Sequence, residues 1–134
     1  MKLNPYLNFN GQCAEAFEFY QRVLGGNIMS SMTWGEMPDE EIPAEQQNRI
    51  MHISLQMGDA WLMGADSPPD SYEKPQGINV ALHYEVASEG ERIFNSLAEG
   101  GNVVMPFQKT FWAAGFGMCV DRYGIPWLVN CEKA

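Results

Sequence analysis

The stretch KTFWAAGFGMCVDRYGIPW, residues 109–127, determines the fold that we expect for the rest of the chain. It predicts an aromatic loop, a short strand, a tight turn and a second strand that begins at Pro126. Phe111, Trp112 and Phe116 are interleaved with alanine and glycine, a composition that suits the mouth of a pocket. The same rings could instead plug the end of a sheet, and the sequence leaves both interpretations open.

Landmarks of the second half of the chain recur in the first half in the same order. The segment GIPWL at residues 124–128 resembles GDAWL at residues 58–62. The tripeptide Gly-Gly-Asn closes a helical segment at residues 25–27 and again at residues 100–102. Such matches indicate an internal duplication. We therefore expect the tryptophan of each turn segment to lie beneath the helix of its own half: Trp61 and Trp127.

Composition restricts the partners and the compartment. The chain has 134 residues, a formal net charge of −9 and few, scattered basic residues, which argues against nucleic acid and anionic membrane surfaces as partners. No apolar run approaches the roughly 20 residues that span a bilayer, and the N-terminus lacks a signal-peptide core. The three cysteines are an odd number without CxxC spacing. Reduced thiols in a cytoplasmic protein fit this pattern best.

Hydrophobic periodicity predicts an α+β fold in which each half runs strand, helix, strand, strand, strand. The two modules are expected at about 1–66 and 77–134, joined by a Pro-rich linker and forming one domain over residues 1–134. Ser88 is predicted to cap the second helix, with Glu91 as its capping-box partner. The acidic segment 35–48 suits either a lid or a solvated linker.

Alternation along the strands also assigns polar side chains to one face of each sheet. A curled sheet would bury its apolar face under its helix, and its polar face would line a cup. The ligand pocket predicted in this way consists of Tyr6, Asn8, Trp34, His52, Ser54, Asn79, His83, Phe111, Trp112 and Phe116. The same alternation places Gln56, Glu85 and Asn130 on the polar faces.

Five segments carry a family resemblance: residues 3–7, 9–11, 19–20, 23–26 and 110–117. Through them the chain resembles the PhnB-like branch of the vicinal oxygen chelate superfamily, which includes glyoxalase I, extradiol dioxygenases and fosfomycin-resistance proteins. The resemblance implies duplicated βαβββ modules in a curled, cup-like mixed sheet with the helices outside. It also implies a homodimer and a small-molecule pocket in each cup. The ubiquinone methyltransferase label carried by related domains finds no support here, because no GxGxxG follows a predicted strand.

The resemblance also bears on metal binding. Metal-binding members of the superfamily take one His or Glu from the first and last strand of each module. The matching positions here are predicted at Asn4, Leu62, Ala81 and Leu128, which lack the donors that a divalent ion needs. No metal at the usual site and no cofactor are therefore predicted. A displaced divalent-metal site around His52, His83 and Glu85 is the alternative, and a His beside a Glu could also act as a general base.

Three functions remain open from the sequence. The first is a metal-independent protein that binds a small molecule. The second is a lyase or oxygenase-type enzyme that uses His52, His83 and Glu85. The third is a dimeric interaction module. Because no Lys or Arg falls on the predicted cup faces, a highly anionic ligand is not expected.

Overall fold

Each half of the chain packs one helix against one four-stranded mixed sheet. The structure is a computed structural model that describes residues 1–38 and 41–134. It divides into two compact units, Met1–Glu73 and Lys74–Ala134. Both units follow the order strand, helix, strand, strand, strand, which confirms the predicted α+β fold of duplicated βαβββ modules.

The first unit contains β1 (Tyr6–Phe9), α1 (Cys13–Leu24), β2 (Asn27–Thr33), β3 (Ile50–Met57) and β4 (Ala60–Asp66). Its strand order is β1-β4-β3-β2, with β1 parallel to β4 and the other neighbours antiparallel. The helix buries a stripe with helical spacing: Cys13, Ala16, Phe17 and Tyr20. Gly64 of β4 lets this helix come close, because a Cβ there would lie 2.8 Å from both Phe17 Cε1 and the Leu7 carbonyl oxygen.

The second unit contains β5 (Val80–Val86), α2 (Ala87–Ala98), β6 (Asn102–Gln108), β7 (Gly115–Val120) and β8 (Pro126–Lys133). Its order, β5-β8-β7-β6, repeats the pattern of the first unit, and β5 runs parallel to β8. The buried residues of α2 again have helical spacing: Gly90, Ile93, Phe94 and Leu97. They pack on the helix side of the sheet, where Trp127, Val129 and Cys131 are buried.

The glycines of the GFG segment in β7 serve the core of the second unit. A Cβ on Gly117 would lie 2.8 Å from Phe94 Cε1 and 3.0 Å from Phe107 Cα. Gly115 likewise leaves room for the ring of Phe107. The small residues around Phe116 therefore admit core rings on the helix side of the sheet.

One buried carboxylate organises each unit. In the first unit, Asp66 accepts hydrogen bonds from the backbone N–H groups of Gly11, Cys13 and Ile50 at 2.7, 3.2 and 2.8 Å. It thereby ties the start of α1 to β3 and β4. In the second unit, Asp121 accepts hydrogen bonds from backbone N–H groups of the β7–β8 turn.

The expected equivalence of the two turn tryptophans is wrong. Trp127 is fully buried beneath α2. Trp61 is only half-buried and pairs with Gln56, whereas the next residue, Leu62, pairs with Leu55 on the buried helix side of the first sheet. The two hairpin turns differ in length, because Gly58 and Asp59 alone connect β3 to β4, whereas residues 121–125 connect β7 to β8. Strand phase therefore differs between the halves, and Trp61 lies on the opposite face from its predicted place.

The predicted cap of the second helix is also wrong. The N-cap of α2 is Val86, and no side chain in the described part of the chain caps it. Ser88 lies inside the helix, which begins at Ala87.

The connection from β2 to β3 holds two short 3-10 turns, Trp34–Glu36 and Ala44–Gln46. Its two ends are tied together, because the Trp34 and Gly35 N–H groups donate to the Arg49 and Gln47 carbonyl oxygens. Residues 39–40 of this segment lie outside the described residues, so its predicted role as a lid stays open. Within the described ranges, neither helix has the length and hydropathy needed to cross a bilayer.

Candidate functional site

The face of the first sheet that points away from α1 carries polar and sulfur-containing side chains. We call it the first helix-free face. Backbone pairing aligns Tyr6, Met63, Ser54 and Ser30 in one row across the four strands. His52 follows on the same face, paired with Met32. The predicted phase of β3 is thus correct, since the neighbouring Ile53 is buried on the helix side.

Two side-chain hydrogen bonds order this face. Tyr6 Oη lies 3.1 Å from His52 Nδ1, with the two rings stacked at a centroid distance of 5.8 Å. Burial, and to a smaller degree Cys13, raises the pKa of the Tyr6 phenol, so Tyr6 keeps its proton at neutral pH. Ser30 Oγ and Ser54 Oγ lie 2.8 Å apart, which satisfies the buried Ser54 hydroxyl.

The corresponding face of the second sheet, the second helix-free face, carries a row that combines polar and aromatic groups. Pairing aligns His83, Asn130, Phe116 and Gln108 across β5, β8, β7 and β6. Beside this mixed row lies an apolar one: Ala81, Leu128, Met118 and Met105. Within the mixed row, the Oδ1 atom of Asn130 is buried and has no hydrogen-bond partner among the residues that the structure describes.

The aromatic loop, residues 109–114, extends this face at the edge of the mixed row. The Trp112 ring contacts Phe116 edge-on at 5.2 Å, and Phe111 contacts Trp112 edge-on at 4.9 Å. Thr110 and Ala113 lock the loop, because Thr110 N–H donates to the Ala113 carbonyl and Ala113 N–H donates to Thr110 Oγ1. Phe111 is 97% exposed and Trp112 is 54% exposed. The loop therefore holds two large rings in solvent in a fixed arrangement.

Three other predicted site residues, Asn8, Asn79 and Trp34, lie outside the rows described above. Asn8 is exposed on β1, and Asn79 is exposed just before β5 begins. Trp34 lies in a 3-10 turn, where the Arg49 guanidinium carbon sits 5.6 Å from its ring centroid. That guanidinium also donates to Asn10 Oδ1 and to the Ser67 carbonyl, each at 2.8 Å, so it ties three connections of the first unit together.

The candidates for acid–base or metal chemistry are partly engaged elsewhere. The Glu85 carboxylate lies 2.6 Å from Lys133 Nζ, and both side chains are exposed. His83 is exposed on the same face of β5. Across residues 1–38 and 41–134, no three His, Cys, Asp or Glu side chains form a group that could hold a metal ion.

The position proposed in β4 for a superfamily metal ligand needs correction. Leu62 is buried on the helix side, so the side chains on the helix-free face at this point are Trp61 and Met63. Neither carries a carboxylate, imidazole or thiolate. Ala81 and Leu128 do lie together on the second helix-free face, where they form part of the apolar row.

Sequence reasoning missed Ser30 and Gln108 as members of the two faces. Both lie on edge strands whose ladders contain irregular register, between Ile28 and Ser30 and between Met105 and Gln108. A bulge of this kind shifts the alternation by one residue. Pro106, between Met105 and Gln108, is the sequence feature that could have marked the shift in β6, because proline inside a strand is typical of a bulge or an edge strand. The β2 sequence contains neither proline nor glycine.

A protein-family model and several known proteins match this chain over nearly its whole length. A family model described as 3-demethylubiquinone-9 3-methyltransferase matches residues 1–130. Protein YjdN of Escherichia coli K12 is 35% identical, over 99% of this chain and 97% of YjdN. The crystal structure of PA1353 from Pseudomonas aeruginosa is 44% identical, with a TM-score of 0.92 over 100% of this chain and 99% of that one.

Two more distant structures share the fold. The PhnB protein from Bacillus cereus is 23% identical, with a TM-score of 0.83 over 98% of this chain and all of that one. The fosfomycin resistance protein FosX from Listeria monocytogenes is 9% identical, with a TM-score of 0.67 over 99% of this chain and 94% of that one. This chain therefore belongs to the family whose model is described as 3-demethylubiquinone-9 3-methyltransferase, and it shares its fold with PhnB and FosX.

Proposed function

We propose that this protein binds a small organic molecule and does so without the metal centre of its superfamily. The observation that carries the proposal is the second helix-free face with its aromatic loop. There, a mixed row of imidazole, amide and phenyl groups adjoins two exposed rings that a locked loop holds in place. Flat apolar walls with a few polar groups are typical of small-molecule sites.

The rigidity of the loop supports a binding role. Exposing Phe111 and Trp112 to water forgoes the free energy that burial of two large rings would contribute. Two hydrogen bonds between Thr110 and Ala113 nevertheless fix the loop in this conformation. A pre-ordered aromatic wall lowers the entropy cost of binding a flat ligand.

The enzyme hypothesis based on His52, His83 and Glu85 receives less support from the contacts. Glu85 is paired with Lys133, which lowers its availability as a metal ligand or a general base. The Nδ1 atom of His52 is engaged with Tyr6. The ring of His83 stands beside Asn130, an amide that cannot relay a proton as a carboxylate would.

A thermal-shift screen of small organic molecules on the full chain tests the proposal, with native mass spectrometry to count the bound mass. We expect at least one organic compound to raise the unfolding temperature by mass action, and we expect EDTA, Zn²⁺ and Mn²⁺ to leave it unchanged. Trp112→Ala should abolish the organic shift, whereas Tyr72→Ala, an aromatic truncation in the segment between β4 and β5, should retain it.

The opposite pattern would favour the metal-dependent alternative. A stoichiometric metal ion in the purified protein, together with stabilisation by divalent ions and no organic ligand, would contradict the proposal. An organic shift that survives Trp112→Ala would place the binding site away from the aromatic loop.

A further inference from the structure

The dipeptide Asn10–Gly11, between β1 and α1, is the one Asn-Gly pair in the sequence. Both residues are exposed to solvent. An asparagine that precedes glycine is chemically labile, because the backbone nitrogen of the glycine can attack the side-chain amide and has no neighbouring side chain to shield it. Asn10 is therefore a candidate for deamidation.

The backbone of the β1–α1 connection requires glycine at position 11. The φ angle of Gly11 is 97°, in the left-handed region that residues with a side chain rarely adopt. A Cβ atom at this position would also lie 3.0 Å from Arg49 Nη1. The labile pair is thus part of the turn that leads into α1, and a bulkier residue that would shield Asn10 does not fit there without strain.

Native hydrogen bonds engage both groups that would react. The Gly11 N–H donates to Asp66 Oδ1 at 2.7 Å, so a buried carboxylate holds the proton that the attacking nitrogen must lose. The Asn10 Oδ1 atom accepts from Arg49 Nη2 at 2.8 Å, which holds the side-chain amide. Ring closure requires the amide carbon to move onto the Gly11 nitrogen, and both hydrogen bonds oppose that movement.

We propose that Asn10 is a deamidation site that its native contacts with Arg49 and those of Gly11 with Asp66 protect, so that it reacts when the β1–α1 connection opens locally. In the open state the Gly11 nitrogen forms a bond to Asn10 Cγ, the bond from Cγ to Nδ2 breaks, and the Gly11 proton leaves with Nδ2 as ammonia. The product is a succinimide ring. Solvent water then adds to one of its two carbonyls, whose bond to the Gly11 nitrogen breaks, which gives aspartate or isoaspartate.

The two products would affect the first unit differently. Aspartate leaves the main chain unchanged and places a carboxylate opposite Arg49, where an ion pair replaces the present hydrogen bond. Isoaspartate adds a methylene group to the main chain before Gly11 and so displaces the Gly11 N–H from Asp66. Because Asp66 also accepts from the Cys13 N–H, the isoaspartate form loosens the start of α1. Loss of ammonia makes this change a one-way covalent switch in the β1–α1 connection.

Timed incubation of the full chain at mildly alkaline pH, followed by mass spectrometry of its proteolytic peptides, measures conversion at Asn10. We expect conversion in the native protein to be at least about tenfold slower than in the same chain unfolded in guanidinium chloride, because the native reaction requires a local opening. Asn95, which precedes a serine, is the internal reference and should react more slowly than Asn10 in the unfolded chain.

Arg49→Met removes the donor to Asn10 while it keeps an unbranched side chain. It should raise the native rate at Asn10 about fivefold, the factor that one net hydrogen bond provides, and leave the rate in guanidinium chloride unchanged. Arg92→Met, at an exposed position of α2, is the matched control and should leave both rates unchanged. Circular dichroism shows whether Arg49→Met is folded, and the comparison of native with unfolded parent chain does not depend on this variant.

Three results would overturn the proposal. Equal rates in the native and unfolded chains would show that the contacts do not protect Asn10. Faster conversion in the native protein would mean that Asp66 and Arg49 activate the reacting groups instead of holding them apart. Absence of conversion at Asn10 in the unfolded chain would show that the pair is not a deamidation site. An unchanged native rate in folded Arg49→Met would contradict the protecting role of Arg49.

Discussion

At the scale of single residues, the Asp121 carboxylate accepts hydrogen bonds from both the backbone and a core side chain of the second unit. It accepts from the Tyr123 and Ile125 N–H groups at 2.8 and 3.0 Å and from Trp127 Nε1 at 2.8 Å. Both oxygens are engaged, and the residue is buried. The turn and the largest core ring of the second unit therefore depend on the same side chain.

We expect Asp121→Asn to lower the free energy of unfolding by about 2–3 kcal/mol, because the new NH₂ group faces donors that need an acceptor. Urea unfolding followed by circular dichroism measures this change. Asp59→Asn, in the exposed turn between β3 and β4, is the matched control and should stay within about 0.5 kcal/mol of the parent. Equal effects at the two positions would contradict the role assigned to Asp121.

The two turn tryptophans should respond differently to truncation. Trp127→Ala removes a fully buried ring and should cost about 3–5 kcal/mol. Trp61→Ala removes a half-buried ring from the first helix-free face and should cost about 1–2 kcal/mol. Similar losses of unfolding free energy at both positions would mean that Trp61 lies in a core after all.

The thiols should be chemically silent in the folded protein. Burial, and to a smaller degree Asp121, raises the pKa of the Cys119 thiol to about 11, and burial also raises the pKa values of Cys13 and Cys131. Because the thiolate is the reactive form, an Ellman titration at pH 8 should label all three cysteines in urea and almost none in the native state. Fast labelling without urea would contradict their burial.

The same pKa values predict how stability depends on pH. The native Cys119 pKa lies above the ordinary value of 9.0, so its contribution is complete below pH 9 and is lost as the pH rises toward 11. The urea midpoint should therefore fall between pH 8.5 and pH 11, and Cys119→Ala should reduce that fall.

At the scale of elements, the aromatic loop depends on one hydroxyl group. Thr110→Val removes the acceptor for the Ala113 N–H at nearly constant shape, whereas Thr110→Ser retains it. We expect amide exchange of Ala113 to become about fivefold faster in Thr110→Val and to stay near the parent rate in Thr110→Ser. Unchanged exchange in both variants would mean that other contacts hold the loop.

The sequence predicted the elements and the faces of the regular strands, because period-2 alternation holds where the ladder is unbroken. His52 on β3 and His83 on β5 both lie on the helix-free side as expected. The prediction failed for Trp61, because the two similar segments belong to hairpin turns of different length, residues 58–59 and residues 121–125. A shift of the strand by an odd number of residues moves each side chain to the opposite face of the sheet. Ser30 and Gln108 were missed for the same physical reason, a shift of register at a bulge.

The predicted pocket could be placed only in part from the sequence. Alternation is blind to contacts between distant residues, so the Tyr6–His52 and Glu85–Lys133 pairs were not foreseen. The burial of Asn130 Oδ1 without a partner among the described residues was equally invisible, since strand alternation does not predict the surroundings of a single atom. Whether the ten predicted pocket residues bind one ligand stays a prediction.

At the scale of the whole molecule, the homodimer expected from the sequence also stays a prediction. The edge strands β2 and β6 expose apolar side chains, among them Met29, Val103 and Val104, and unpaired edges of this kind favour association. Sedimentation velocity at micromolar concentration should show a dimer of the 15.1 kDa chain. A single monomeric boundary would contradict this expectation.

The parallel pairing of β1 with β4 has a consequence for biosynthesis. Tyr6 finds its neighbour Met63 only after β2, β3 and the intervening connections have left the ribosome. Until then β1 lacks its pairing strand β4, and the apolar stripe of α1 lacks most of the sheet on which it packs. The nascent first module therefore cannot fold stepwise from its N-terminus. Closing so long a loop is entropically costly and slow. We therefore expect the first module to acquire resistance to proteolysis abruptly, when β4 emerges, rather than gradually during translation.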